Sequence, residues 1–203
     1  MSRNWRPVRY NQQRRQRLRR KSRVLKDGMT DKRALLKHFL AALAYRTQKA
    51  LRDAPADFGS YQPPADVRSP KELVRHMTSV LGYARTFFVG GQYWPDPLNS
   101  LNEEVNRFHD MLEDLSSLLA NKTALREGMT EEALLQGPFS DAMTHAGQLA
   151  MLRRFAGSPV APENFIVADI QANKLGMDQP EPASPDEVWP EAPANWTPPG
   201  KQN

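Results

Sequence analysis

The sequence predicts an all-α fold, an antiparallel four-helix bundle, with a basic leader before it and a proline-rich tail after it. Three observations predict this. Apolar residues recur at helical spacing in four long segments. Clusters of Pro, Gly, Asn and Asp separate those segments and break the pattern. The two ends differ from the middle: residues 1–28 hold eleven of the 28 Arg and Lys but one of the 23 Asp and Glu, and from Met177 onward the chain is rich in Pro, Glu and Asp.

The first helix should run from Asp31 to about Arg52, with Thr30 as its N-cap. Its buried stripe would hold Leu36, Phe39, Leu40, Leu43, Thr47, Ala50 and Leu51. The segment from Asp53 to Ser69 carries three prolines and a glycine and reads as a loop. The second helix has the clearest start in the chain. Ser69 caps it, Pro70 takes the first helical position and Glu72 completes a capping box. It should reach about Val89, where Gly90-Gly91 stops it, and bury Leu73, His76, Met77, Val80, Leu81, Ala84, Phe87 and Phe88.

A third helix is expected from Ser100 or Leu101 to about Ala120, with Leu101, Val105, Phe108, Leu112, Leu115 and Leu119 inward. A helical turn capped by Thr130 precedes Gly137-Pro138, after which a fourth helix reaches about Ala156 and ends at Gly157. The segment NFIVADI reads as a short extended piece against the bundle, and the remainder as a tail, disordered or wrapped over the surface. One loop after each helix suggests an up-down order, with room for longer crossovers.

A length of 203 residues fits one domain plus extensions: a leader over 1–28, a bundle over 29–160 and a tail over 161–203. The chain has no cysteine, which excludes disulfides, a thiolate zinc site and a cysteine nucleophile, and fits a cytoplasmic protein. No apolar run approaches the roughly 18 residues that span a bilayer, and the leader lacks the apolar core of a secretory signal. The net charge of +5 is unevenly placed, since the chain beyond residue 28 carries 17 basic and 22 acidic residues. A nucleic-acid partner would therefore have to be met by residues 1–28 alone, whose arginines can neutralise phosphates. The composition favours a disordered arm, or an upstream start before Met29-Thr30-Asp31, over specific nucleic-acid binding.

Chemistry has few candidates. There is no P-loop, no G-x-G-x-x-G and no G-x-S-x-G. The four histidines are His38, His76, His109 and His145. Asp141 and His145 stand at i and i+4, one turn apart on one helix face. That is a spacing at which two side chains share a metal ion. His76 falls on or beside the apolar stripe of the second helix and can supply a third ligand across the core. Two imidazoles and a carboxylate suit Fe, Ni, Zn or Mn. Spacing alone equally allows two core or seam histidines and a solvated acid.

Two segments, RSPKELVRHMTSVLGYARTFF (68–88) and FSDAMTHAGQLAMLRRFAGSPV (139–160), resemble the DinB-like family of four-helix bundles. The resemblance covers roughly two thirds of the chain and leaves out leader and tail. It implies a metal-dependent hydrolase or a transferase acting with low-molecular-weight thiols. It implies His76 as the ligand of helix two and His145 as the second histidine of the helix-four pair. Asp141 stands where the family's pattern has the first histidine of that pair, which weakens the expected metal affinity. A metal-free stress or interaction protein of the same fold is the alternative. The substrate expected is a small molecule, a thiol among the candidates. Gln148 lies near the site by helical spacing. Similar bundles often pair, so a homodimer is also implied, although no surface stripe demands one.

Overall fold

The structure, a computed structural model, describes residues 31–64 and 66–194; the leader 1–28, the Thr30 cap and the last residues of the tail lie outside the described residues. Helix α1 spans 31–51. It is followed by α2 (Pro70–Val89), α3 (Leu101–Ala120), a short α4 (Glu131–Leu134) and α5 (Ser140–Phe155). Single 3-10 turns occur at Phe58–Ser60 and Phe165–Val167. No strand occurs among the described residues, and among them no helix is long and apolar enough to cross a membrane.

Local chemistry sets the helix starts. At α2 the Ser69 side chain accepts from the Glu72 backbone N–H while the Glu72 carboxylate accepts from the Ser69 backbone N–H. Ser100 and Glu103 repeat this reciprocal pair at α3. Thr130 accepts from the Ala133 N–H at α4. Between α4 and α5, Leu135–Phe139 form a wide π turn, and Gly137 leaves helical geometry at φ −94°, ψ −107°. Pro138 causes the break, because it lacks an N–H and crowds the residue before it out of the helical region. The two helical pieces are thus one element with a kink just before Asp141.

The long helices bury a shared apolar core. Leu40 and Leu43 of α1, Met77 and Leu81 of α2, Phe108, Leu112 and Leu115 of α3, and Ala142 and Leu149 of α5 are essentially sealed from solvent. Cross-helix contacts fix the relative directions. Phe39 stacks on Phe139 at 6.3 Å, and Arg153 reaches the carbonyls of Ala50 and Arg52, so α1 and α5 run the same way. Lys71 reaches the carbonyl of Asn99 at one end and Arg85 pairs with Asp114 further along, so α2 and α3 also run the same way. Gln48 near the end of α1 meets His109 in α3, while Arg33 near its start donates to the Thr123 carbonyl just beyond α3. The α1/α5 pair therefore opposes the α2/α3 pair.

A strict alternation breaks between α2 and α3, and residues 90–100 show why. Helix α2 has 20 residues and is about 30 Å long. The eleven residues 90–100 can extend about 36 Å at roughly 3.3 Å each, enough to return the chain to the far end. On the way Tyr93 lies against α2 at Gly82, where a Cβ would stand 1.9 Å from the ring. Glycine is the only residue that admits that approach.

Segment 164–170, expected to be extended, instead contains the 3-10 turn Phe165–Val167, capped by the Asn164 side chain on the Ile166 N–H. The tail wraps the surface as far as it is described. Tyr45 donates to Glu163 at 2.6 Å, Arg52 donates to the carbonyls of Gln179 and Pro180, and Leu175 and Trp189 are buried. Arg153 is buried and donates to three carbonyls at the end of α1 as well as to Ser158, so it ties α5 to α1.

Candidate metal centre

The kink at Gly137-Pro138 starts α5 at Ser140, which puts Asp141 in its first turn and His145 one turn later. A carboxylate at that end of the helix is favoured by the macrodipole. Helix α2 runs against α5 and brings His76 to the same place. The rings of His76 and His145 meet edge to face with centroids 4.7 Å apart. His145 Nε2 stands 3.3 Å from Asp141 Oδ1. One ligating atom from each of the three residues falls within 4.8 Å of the others. Each residue expected at the site is therefore brought together with the other two.

The hydrogen bonds orient the ligands. His145 Nδ1 lies 2.8 Å from Gln148 Oε1. An amide oxygen only accepts, so Nδ1 carries a proton, and Nε2 is the ring nitrogen turned toward Asp141. A partner on the remote nitrogen fixes ring orientation in this way at many metal sites. Two lone pairs facing one another at 3.3 Å repel unless a proton or a cation lies between them. Donors sharing one ion through bonds of about 2.1 Å stand roughly 3 to 3.4 Å apart. The His145–Asp141 pair already meets that spacing.

His76 is half-buried and makes no hydrogen bond with any described residue. Burial draws its imidazole below the ordinary range, the charges of Arg68 and His145 act in the same direction, and Asp141 opposes them. Near neutral pH the ring is uncharged, the state that can ligate. Asp141 is half exposed, so its carboxylate can swing by the small amount needed to close a shared site.

The other histidines are placed elsewhere. His38 is exposed on α1. His109 is buried at the opposite seam, with Nδ1 donating to the Leu175 carbonyl and Nε2 accepting from the Gln48 amide at 2.7 Å. A cleft of about 660 Å³ opens beside His145 and Gln148, with Leu73, Met151 and Phe155 on its walls and Arg68 at its rim. Arg68 gave no signal in the sequence, since it lies in a loop one residue ahead of a helix cap. Comparison with family models, with curated proteins and with solved structures finds no match.

Proposed function

We propose that this chain is a DinB-like antiparallel four-helix bundle that holds a divalent ion, Ni, Zn, Mn or Fe, between His76, Asp141 and His145. The reading makes it a cytoplasmic metal-dependent enzyme, a hydrolase or a transferase acting with a low-molecular-weight thiol. The observation that carries it is the convergence of two imidazoles and a carboxylate at ligand spacing, with one imidazole oriented from behind by Gln148. Helical periodicity alone would not bring His76 across the core to that pair.

A divalent ion at such a site acidifies a bound water or thiol and so supplies a nucleophile near neutral pH. The residues of the chain do the rest. His76 stays uncharged in its half-buried seam and offers a lone pair. Gln148 holds the His145 proton on Nδ1 and keeps Nε2 directed inward. Asp141, half exposed, brings the negative charge that offsets part of a dication. Three protein ligands leave further coordination positions open, and the cleft beside Gln148 gives a small molecule access from the Met151 side. With no cysteine in the chain, any sulfur must arrive with the substrate.

The test is the metal content of purified full-length protein by plasma mass spectrometry, wild type beside His145→Ala. Near-stoichiometric metal in the wild type that is lost in the variant supports the reading and justifies screening hydrolase and thiol-transfer substrates. Wild type that is metal-free and takes up no added ion overturns it. The His145–Asp141 pair is then a contact within α5 alone, and the chain is a metal-free interaction protein.

A further inference from the structure

The cleft beside His145 has a composition that restricts what can enter it. Its volume of about 660 Å³ lies in the range that encloses a small organic molecule, roughly 300 to 1,000 Å³. Leu73 and Leu152 form an apolar wall and are themselves buried. Val67, Met151 and Phe155 complete it and remain 53%, 47% and 62% exposed. Single exposed apolar residues are ordinary on a protein surface, but several converging on one concavity mark a binding face.

Two charged side chains line that cleft, Arg68 and Asp66. They are not paired with one another, and among the described residues Arg68 has no carboxylate within ion-pair distance. Asp66 holds its backbone in the left-handed region at φ 53°, a strained conformation for a residue with a side chain. It turns the chain into α2 and so presents Val67 and Arg68 on the rim. Arg68 directly precedes the N-cap Ser69, so the positive end of the α2 dipole lies behind it.

We propose that this cleft binds a small amphipathic carboxylate, its apolar body against Leu73, Met151 and Phe155 and its carboxylate on the Arg68 guanidinium. The inference rests on the metal reading only for what happens next, because the cleft would then deliver the far end of that molecule past Gln148 to the metal. Binding itself needs only the cleft and Arg68. A planar guanidinium can grip a carboxylate with two parallel hydrogen bonds. A cationic ligand seated the same way would meet the unpaired Arg68 charge and would have to turn its head group to Asp66 instead, so the sign of the head group decides affinity at Arg68.

The experiment follows the methyl resonance of Met151 in full-length, methyl-¹³C-methionine-labelled protein, titrated with octanoate, 1-octanol and octylamine. The local probe matters, since it reports on the cleft, whereas a bulk measurement would also count anions attracted by the eleven basic residues of 1–28. Arg68 is exposed, so its replacement should leave the fold intact. The expected result is a saturable Met151 shift with octanoate, at least tenfold weaker binding of octylamine, and a loss of about tenfold in octanoate affinity in Arg68→Gln. That loss should be partly restored in Arg68→Lys, while octanol binding changes less than twofold throughout. Equal affinity for octanoate and octylamine, an unmoved Met151 methyl, or an unchanged Arg68→Gln would overturn the proposal. So would a Met151 shift on simple protein dilution, which would show a second copy of the chain covering the cleft. Titrations run with zinc and with chelator separate the two readings. Octanoate binding in protein that takes up no metal keeps the cleft and removes the enzyme; metal uptake without octanoate selectivity does the reverse.

Discussion

Two histidine seams divide the molecule, and their difference separates a candidate site from a strut. At the α1–α3 seam, both ring nitrogens of His109 are used by the chain itself, one by the Leu175 carbonyl and one by the Gln48 amide. No lone pair is left to offer. At the α2–α5 seam, His76 has no hydrogen bond to any described residue, and His145 has Gln148 behind it and the Asp141 carboxylate 3.3 Å in front. The nitrogens that remain converge on a carboxylate. Burial is deeper at His109, so exposure and sequence context alone would misplace the interest. What distinguishes the seams is whether the polar atoms are already satisfied.

The sharpest test of that contrast is metal linkage. At a zinc concentration of 100 times Kd the wild type should gain about 2.7 kcal/mol, read as a chelator-sensitive rise in the urea midpoint. His145→Ala should show none of this gain, and His109→Ala should show all of it. Equal loss in both variants would erase the distinction between the seams.

Removing the strut comes next in size. His109→Ala leaves a half-buried amide and a buried carbonyl without their partner, which should cost about 2 kcal/mol in equilibrium urea unfolding. Metal stoichiometry should not change. A cost below a few tenths would mean that His109 holds nothing. Smaller again is Gln148→Ala, which frees the His145 ring to turn and should lower metal affinity about tenfold, measured by competition with a chromophoric chelator.

The smallest effect is in pH. Burial holds the His109 imidazole below its ordinary value, with the Leu175 carbonyl and Asp110 opposing in part. The unfolded chain therefore binds a proton at this residue as pH falls through about 6.5, while the native state does not, and stability drops on acidification. In metal-free protein the wild type should lose roughly 1 kcal/mol more than His109→Gln between pH 7 and 5.5. His76 and His145 are present in both proteins, so the difference isolates the strut.

The helices and the cap at Ser69-Pro70-Glu72 were legible because each depends on contacts within one or two turns. The i, i+4 placement of Asp141 and His145 was legible for the same reason. The extended reading of 164–170 failed where an Asn164 cap on Ile166 made a local 3-10 turn more favourable. Arg153 secures the end of α1, a segment about a hundred positions away in sequence, and nothing local marks that role. Arg68 and the cleft had no local signature at all.

By itself, then, the sequence determined the all-helical character, the helix boundaries, the absence of cysteine chemistry and the pair on α5, since capping, propensity and periodicity act between near neighbours. Only the tertiary structure decided that α3 runs alongside α2, that His76 meets His145 across the seam, and that His109 is sealed by the tail. Those are choices of partner between distant segments. They depend on how far a connection such as 90–100 can reach and on which apolar faces close one core, and no periodicity along the chain encodes either.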